Sequence, residues 1–393
     1  MKNKEIYEGL IEWFRQCGAY VPESVALGPL IQETYTVEEA ELLTGMPLTL
    51  FDIDDLVREK GTDHLELSAK LDEMASRGLV YRIHVNGKIK YRLNPPRFVF
   101  LRSFFWPGRG DDHIKAVAPH VTRYYLDGLG DHWKDVKSKG LRAIPIEKTI
   151  DDPRCILPYE AVLQVLQNQD RFAVATCACR HRKNSDPNVP VCKHETENCL
   201  HFGKFADYII ENGLGREIDL EECQEILDRA AEAGLVHAAS NWQENVDTIC
   251  NCCQCCCVYL EAFHVLKHDS GMNSSNYEVH INSETCLGCG LCVKRCPMDA
   301  LTLVESIRAN SKTGKISEAQ TNICIGCGIC AYKCPTKSLI LKRREQTLPP
   351  PVNAAELKRR YATEKMEKYA EKGHRIDPKN TYMGDISSGE VIE

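Results

Sequence analysis

A chain of 393 residues, 43 % hydrophobic and with a formal charge of −7, is long enough for two or three packed domains and has the composition of a folded protein. Residues 1–20 alternate charged and apolar side chains, so they lack the apolar core of a secretory signal, and the most hydrophobic stretch, Phe98–Trp106, is broken by Arg102 and Ser103, too short to span a membrane. The 21 cysteines, all but Cys17 and Cys155 of which fall between Cys177 and Cys334, point away from a disulfide scaffold, which suits short secreted chains, and toward metal or metal–sulfur binding in a cytoplasmic, reducing and anaerobic setting.

Residues 1–97 read as helices followed by a hairpin. The spacing predicts helices over 37–44, over 51–59 with Gly61 ending it, and over 64–77, where Leu65, Leu67, Leu71, Met74 and Ala75 form an apolar stripe ended by Gly78. Two alternating runs, 79–85 and 88–93, flank Asn86-Gly87, the signature of a type I′ turn, and Pro95-Pro96 closes the segment. Three helices and a two-stranded wing resemble a winged-helix domain over residues 35–97, by pattern alone. Acidic residues outnumber basic ones across the first hundred positions. The candidate recognition helix sets Asp63, Glu66, Asp72 and Glu73 against Lys70 and Arg77. Phosphate binding wants the opposite balance, so no nucleic-acid partner is expected, although the wing offers Arg82, Lys88, Lys90 and Arg92. The expectation is a docking module, separable from the remainder of the chain.

Residues 98–156 carry aromatic anchors (Phe98, Phe100, Phe104, Phe105, Trp106, Trp133) and a helix predicted over 113–126, and read as a connecting helical region. Residues 157–275 form a Cys-rich α/β domain. A helix over 159–167 and a strand over 172–176 deliver the chain into Cys177-Ala-Cys179-Arg180. Asp219 and Glu222 cap a helix over 220–233 that Gly234 ends. Cys223 falls on the apolar face of that helix and reads as core, whereas Cys17 and Cys155 stand alone.

From residue 276 to 345 the chain repeats itself at an offset of 38 positions. Cys286-x2-Cys289-x2-Cys292-x3-Cys296-Pro is echoed by Cys324-x2-Cys327-x2-Cys330-x3-Cys334-Pro, each copy leading into a short strand. This is the spacing of the bacterial two-cluster ferredoxin, in which the fourth cysteine of each run ligates the other cluster. One [4Fe-4S] cluster is thereby expected on Cys286, Cys289, Cys292 and Cys334, and a second on Cys324, Cys327, Cys330 and Cys296. Zinc sites use four ligands as two pairs and have no need of this swapped arrangement. Gly288, Gly290, Gly326 and Gly328 let the backbone bend round the clusters, and Leu287, Leu291, Ile325 and Ile329 are expected to keep water out. The tail, 346–393, passes through prolines into a charged helix over 353–372, with Gly373 as its stop.

The middle region holds ten more thiols: Cys177, Cys179, Cys192 and Cys199, then Cys250, Cys252, Cys253, Cys255, Cys256 and Cys257. Side chains alternate in an extended run, so the second group can serve two neighbouring sites or one. One or two further [4Fe-4S] clusters are expected here, with structural zinc as the alternative and a redox-active dithiol set as a third reading. His181, His194 and His201 read as exposed or hydrogen-bonded loop residues rather than ligands. Arg180 and Arg182 would lower nearby thiol pKa values or serve as solubilising loop residues. Cys-x-Cys-Arg, the later pair of cysteines, Gly234-Leu-Val-His237 and Ile249-Cys-Asn-Cys-Cys-x-Cys-Cys-Cys257, followed by the ferredoxin module, resemble a group of 4Fe-4S dicluster proteins of anaerobic microbes over about two thirds of the chain. That resemblance implies iron–sulfur binding and electron transfer without an assigned reaction.

The expected architecture is thus α+β and multidomain, with a winged-helix-like N-terminal domain, a Cys-rich α/β middle domain and a ferredoxin-like C-terminal domain. The expected role is an electron-transfer protein, or the electron-transfer subunit of an oxidoreductase, with a redox protein as partner. The alternatives are a redox-responsive winged-helix regulator and a reductase with its own iron–sulfur centre. Haem attachment, a Walker loop and a Gly-x-Gly-x-x-Gly nucleotide fold have no sequence support.

Overall fold

The computed structural model describes residues 2–371 apart from 153, 155, 270, 308 and 310, so Cys155, Lys372 and Gly373 lie outside the described residues. Two compact units emerge, each assembled from segments distant in sequence. The first comprises the residues up to Val136, Arg171–Ile218 and the segment from Lys358. The second comprises Lys137–Asp170 and Asp219–Leu357.

In the first unit the helix Val37–Leu43 starts where expected, because Thr36 Oγ1 accepts from Glu39 N and Glu39 Oε2 accepts from Thr36 N (3.2 and 2.8 Å), a reciprocal cap. The helix His64–Ser76 buries Leu67, Leu71, Met74 and Ala75. Leu65 is 78 % exposed. Two residues before Leu67 on a helix is about 200° round the axis, so Leu65 cannot share that stripe. The helix predicted from Phe51 begins instead at Ile53. Phe51 and Asp52 form a short strand on Tyr91 and Lys90, because the Phe51 ring packs near Tyr91 and Asp52 pairs with Lys90 at 2.6 Å. The strands Val80–Val85 and Lys88–Leu93 pair in register about Asn86 and Gly87, both at positive φ (51° and 76°), as a type I′ turn requires.

This hairpin is not separable. The Tyr81 ring stacks on Tyr208 at 4.1 Å, and Asn212 Nδ2 donates to Arg82 O at 2.9 Å, so the helix Gly203–Glu211 covers it. The aromatic anchors between Phe98 and Trp133 are all buried, with Phe98 edge-on to Trp106 and the long helix Asp112–Asp127 burying Ile114, Val117, Val121 and Tyr125. They are core, not connection. In the same unit the strand Phe172–Thr176 lies between the antiparallel strands Glu197–Phe202 and Arg216–Glu217.

The second unit contains an antiparallel trio, Leu141–Ala143, Val236–Ser240 and Thr248–Cys252, with Val236–Ser240 in the middle. The helix Leu220–Ala233 is capped by Asp219, whose carboxylate accepts from Glu222 N at 2.8 Å, and ends at Gly234 in the left-handed conformation. Its Cys223 is fully buried. A buried ion pair joins Arg142 to Glu160 at 3.0 Å, and the same Glu160 oxygen accepts from Asn276 N at 2.8 Å. The repeated segment supplies two ribbons, Tyr277–Ile281 with Leu339–Arg343 and Leu301–Glu305 with Lys315–Ala319, and the short helices Leu291–Arg295 and Ile329–Tyr332. The tail helix spans Ala354–Glu371. No described helix is long and apolar enough to cross a membrane.

Candidate iron–sulfur centres

The 38-residue repeat is visible in the backbone. Gly288 and Gly326 (φ 60° and 67°), Gly290 and Gly328 (74° and 81°), and Asp299 and Lys337 (53° each) take left-handed conformations at equivalent positions. A Cβ at Gly288 would lie 2.3 Å from Lys315 O, and one at Gly326 would lie 2.2 Å from Tyr277 O, so each loop is pressed against its ribbon where only glycine fits. That pressure aims the three cysteines of each loop inward. Cys286, Cys289 and Cys292 line one cavity together with Cys334, while Cys324, Cys327 and Cys330 line another together with Cys296. Each repeat therefore lends its last cysteine to its twin's cavity.

Residues 285–338 match the 4Fe-4S dicluster domain family. The chain carries a 4Fe-4S dicluster domain and is an iron–sulfur protein. No curated protein matches it.

The dicluster domain's two cavities differ in access. Cys289 is exposed, and Leu287 and Leu291, expected to exclude water, are 48 % and 38 % exposed. Around the second cavity Ile325, Ile329, Val279 and Leu341 are buried. None of the eight cysteines is in a disulfide, and several receive donors: Ala300 N to Cys296 Sγ at 3.2 Å, Ser317 N to Cys286 Sγ at 3.5 Å, and Ser317 Oγ within 3.2 Å of Cys292 Sγ. Burial pushes the thiols of Cys292, Cys296, Cys327 and Cys330 above the ordinary value. A lone thiolate is disfavoured there, and the sites suit sulfur that is compensated by bound cations. Cys334 runs the other way. Burial raises it, but hydrogen bonds from Leu339, Thr336 and Ser338 outweigh burial and hold the thiol below its usual value.

The six cysteines of the 250–257 run sort into two groups, for a reason the extended-chain expectation did not contain. The strand ends at Cys252, and Gln254–Cys256 form a turn before the helix Val258–His264. Cys252 comes within hydrogen-bonding reach of Cys250 and Cys257, and Cys256 within reach of Cys253 and Cys255, contacts that raise both thiols strongly. The Cys253, Cys255 and Cys256 sulfurs all lie within 4.8 Å of one another, the separation of ligands on one metal site. Two thiol triads thus replace a row of alternating faces.

In the first unit Cys177 stands at the N-cap of the helix Ala178–Ser185 and Cys179 in its first turn, and Cys199 pairs with Ala175 across the strands. Cys192 is buried, its N–H donating to Asn184 Oδ1 at 2.7 Å. The Cys177 thiol is raised well above its ordinary value, first by its hydrogen bond with Cys179 and then by burial, against the lowering field of Arg180. Arg180 and Arg182 are not solubilising loop residues. Both are buried on that helix, and Arg180 Nη1 donates to Asn198 Oδ1 at 2.8 Å. His201 is likewise no loop residue: it is buried within a strand, edge-on to Trp106 and Phe205. His181 sits with its ring nitrogens 2.7 Å from Phe105 O and Arg109 O. His237 and Asn251 lie within the Gly234–His237 and Ile249–Cys257 runs that the sequence singles out, but the runs give neither a role; the structure sets His237 Nδ1 2.7 Å from Asn251 Oδ1. What the runs do not show is that the two residues face each other across neighbouring strands.

Proposed function

We propose that the chain is an electron-transfer protein or the electron-transfer subunit of an oxidoreductase. The observation that carries this reading is the pair of four-cysteine cavities, each completed by a cysteine of the other repeat. Cys286, Cys289, Cys292 and Cys334 would hold one [4Fe-4S] cluster and Cys324, Cys327, Cys330 and Cys296 the other. Such clusters supply reversible one-electron storage. The residues around them set access: Leu287, Cys289 and Leu291 leave the first site open to an approaching redox protein, while Ile325, Ile329 and Val279 enclose the second. Dithionite reduction of the anaerobic protein should give the electron paramagnetic resonance of two reduced clusters, and a viologen oxidant should erase it reversibly. A silent or irreversible protein would refute the proposal.

The two thiol triads of the second unit support further metal sites, each supplying three of the four thiolates that a [4Fe-4S] cluster or a zinc ion takes, and Cys177, Cys179, Cys192 and Cys199 of the first unit form a separate set of candidate ligands. The three helices between Val37 and Ser76 and the hairpin after them, with the strand order that places Lys88–Leu93 centrally, support a winged-helix docking module. Three of its four basic wing residues are engaged, Arg82 by Asp72 at 2.8 Å, Lys90 by Asp52 at 2.6 Å and Arg92 over the Tyr81 ring, which leaves little for phosphate and argues against the regulator.

A further inference from the structure

The second unit contains a cavity of about 320 Å³ that the electron-transfer reading does not use. Its wall is mostly apolar, with Ile146, Val162, Leu163, Leu166 and Leu227 among the lining residues, and its volume falls at the small end of organic-ligand pockets, about 300–1,000 Å³. The charged residues at the cavity are already engaged. Lys148 faces Asp228 at 3.7 Å, both about 70 % exposed, and Glu147 Oε1 accepts from Leu163 N at 3.2 Å. Nothing there asks for a charged ligand.

One polar side chain on the wall has an atom to spare. His237, 5 % exposed, lines the cavity. Its Nδ1 lies 2.7 Å from Asn251 Oδ1, an acceptor, so the ring proton sits on Nδ1. Burial disfavours the charged ring. Nε2 is therefore an acceptor, and it has no partner among the described residues. Nε2 opens on the cavity and is not sealed from solvent, so a ligand O–H exchanges with water there and gains the net worth of one hydrogen bond.

We propose that this cavity is a binding site for an uncharged one- or two-ring aromatic alcohol, of the phenol or hydroquinone class, whose O–H donates to His237 Nε2. The site adjoins the dicluster domain. Ile146, on its wall, donates its N–H to Cys327 O at 3.2 Å, Tyr332, another wall residue, follows Cys330 by two positions, and Asn251, which fixes the His237 ring, stands between Cys250 and Cys252. The proposal concerns binding and stands independently of which metal the cysteines hold.

The test is anaerobic titration calorimetry of the full-length protein with 2-naphthol and with 2-methoxynaphthalene, a probe of similar shape that lacks the O–H. 2-Naphthol should bind at one site per chain, about tenfold more tightly than the ether, the worth of one buried hydrogen bond. His237→Phe should abolish the difference between the probes. Leu163 is 47 % exposed, so Leu163→Trp should fold normally, obstruct the cavity and weaken both probes by about tenfold or more. Equal affinity for the two probes, no detectable 2-naphthol binding, or binding indifferent to Leu163→Trp would each overturn the proposal.

Discussion

Gly326→Ala is the sharpest single-atom test of how the cysteine loops are held. At φ 67° an L-residue costs about 1–2 kcal/mol from the contact of Cβ with the following carbonyl. The new Cβ would also stand 2.2 Å from both Tyr277 O and Ser275 Oγ. Contacts that short force the loop off its ribbon by about 1 Å, an overpacking cost of about 1–3 kcal/mol. The total is about 2–5 kcal/mol, and the displaced loop carries Cys324 and Cys327, so metal retention should fall with stability. Gly314→Ala is the control, since it has nearly the same φ, 65°, and nothing within 4 Å of the added carbon; it should cost only the conformational term, about 1–2 kcal/mol. Anaerobic denaturant unfolding and iron per chain, measured on both variants, decide the matter. Equal stability and equal iron in the two would refute the claim that close approach, rather than backbone angle, makes Gly326 necessary.

Glu160→Ala strands the buried Arg142 guanidinium and should cost about 3–5 kcal/mol. Burial also raises the Glu160 pKa, so the folded state holds this proton more tightly than the unfolded one. The resulting stability is complete below the ordinary carboxyl value, about 4.3, and is lost as pH rises through the folded value; urea melts of Glu160→Gln should lack that slope. Replacing Cys177 and Cys179 together by Ser should remove about one cluster's iron, or one zinc, while the dicluster resonances persist, as metal analysis beside resonance spectra would show. Deleting residues 1–97 removes Tyr81 and bares the Tyr208 ring, and the truncated chain should aggregate on expression, whereas Tyr208→Ala in the full chain should remain folded but lose about 3–5 kcal/mol in denaturant. Duplex DNA should show no sequence-selective shift with the oxidised or the reduced protein; a steeply salt-dependent, redox-dependent complex would contradict the docking role.

The helices Val37–Leu43, His64–Ser76 and Leu220–Ala233, the hairpin and the four-cysteine loops could be read from the chain because their causes are local: apolar spacing, caps, an Asn-Gly turn, glycines at fixed offsets. What stayed hidden was non-local. The aromatic run from Phe98 to Trp133 looks like a linker until Tyr208 and Phe205 arrive from another hundred residues along, and Phe51 joins a strand only because Tyr91 is there to receive it. Arg180 and His201 sit among cysteines in sequence and look like loop residues, yet their burial depends on partners such as Asn198 and Trp106. The division of the 250–257 thiols turned on where one strand stops, a boundary that six nearly consecutive cysteines conceal. His237 and Asn251 lie in two motifs that assign them no role, and their pairing is a matter of strand register alone.

The central claim, that the two interleaved cysteine sets each hold a [4Fe-4S] cluster, is tested most directly by iron and acid-labile sulfide analysis of anaerobically purified protein in which all ten middle-region ligand candidates, from Cys177 to Cys257, have been replaced by Ser. The account predicts a brown protein with about 8 irons and 8 sulfides per chain, the content of two cubanes. A colourless protein holding zinc and no sulfide would contradict it.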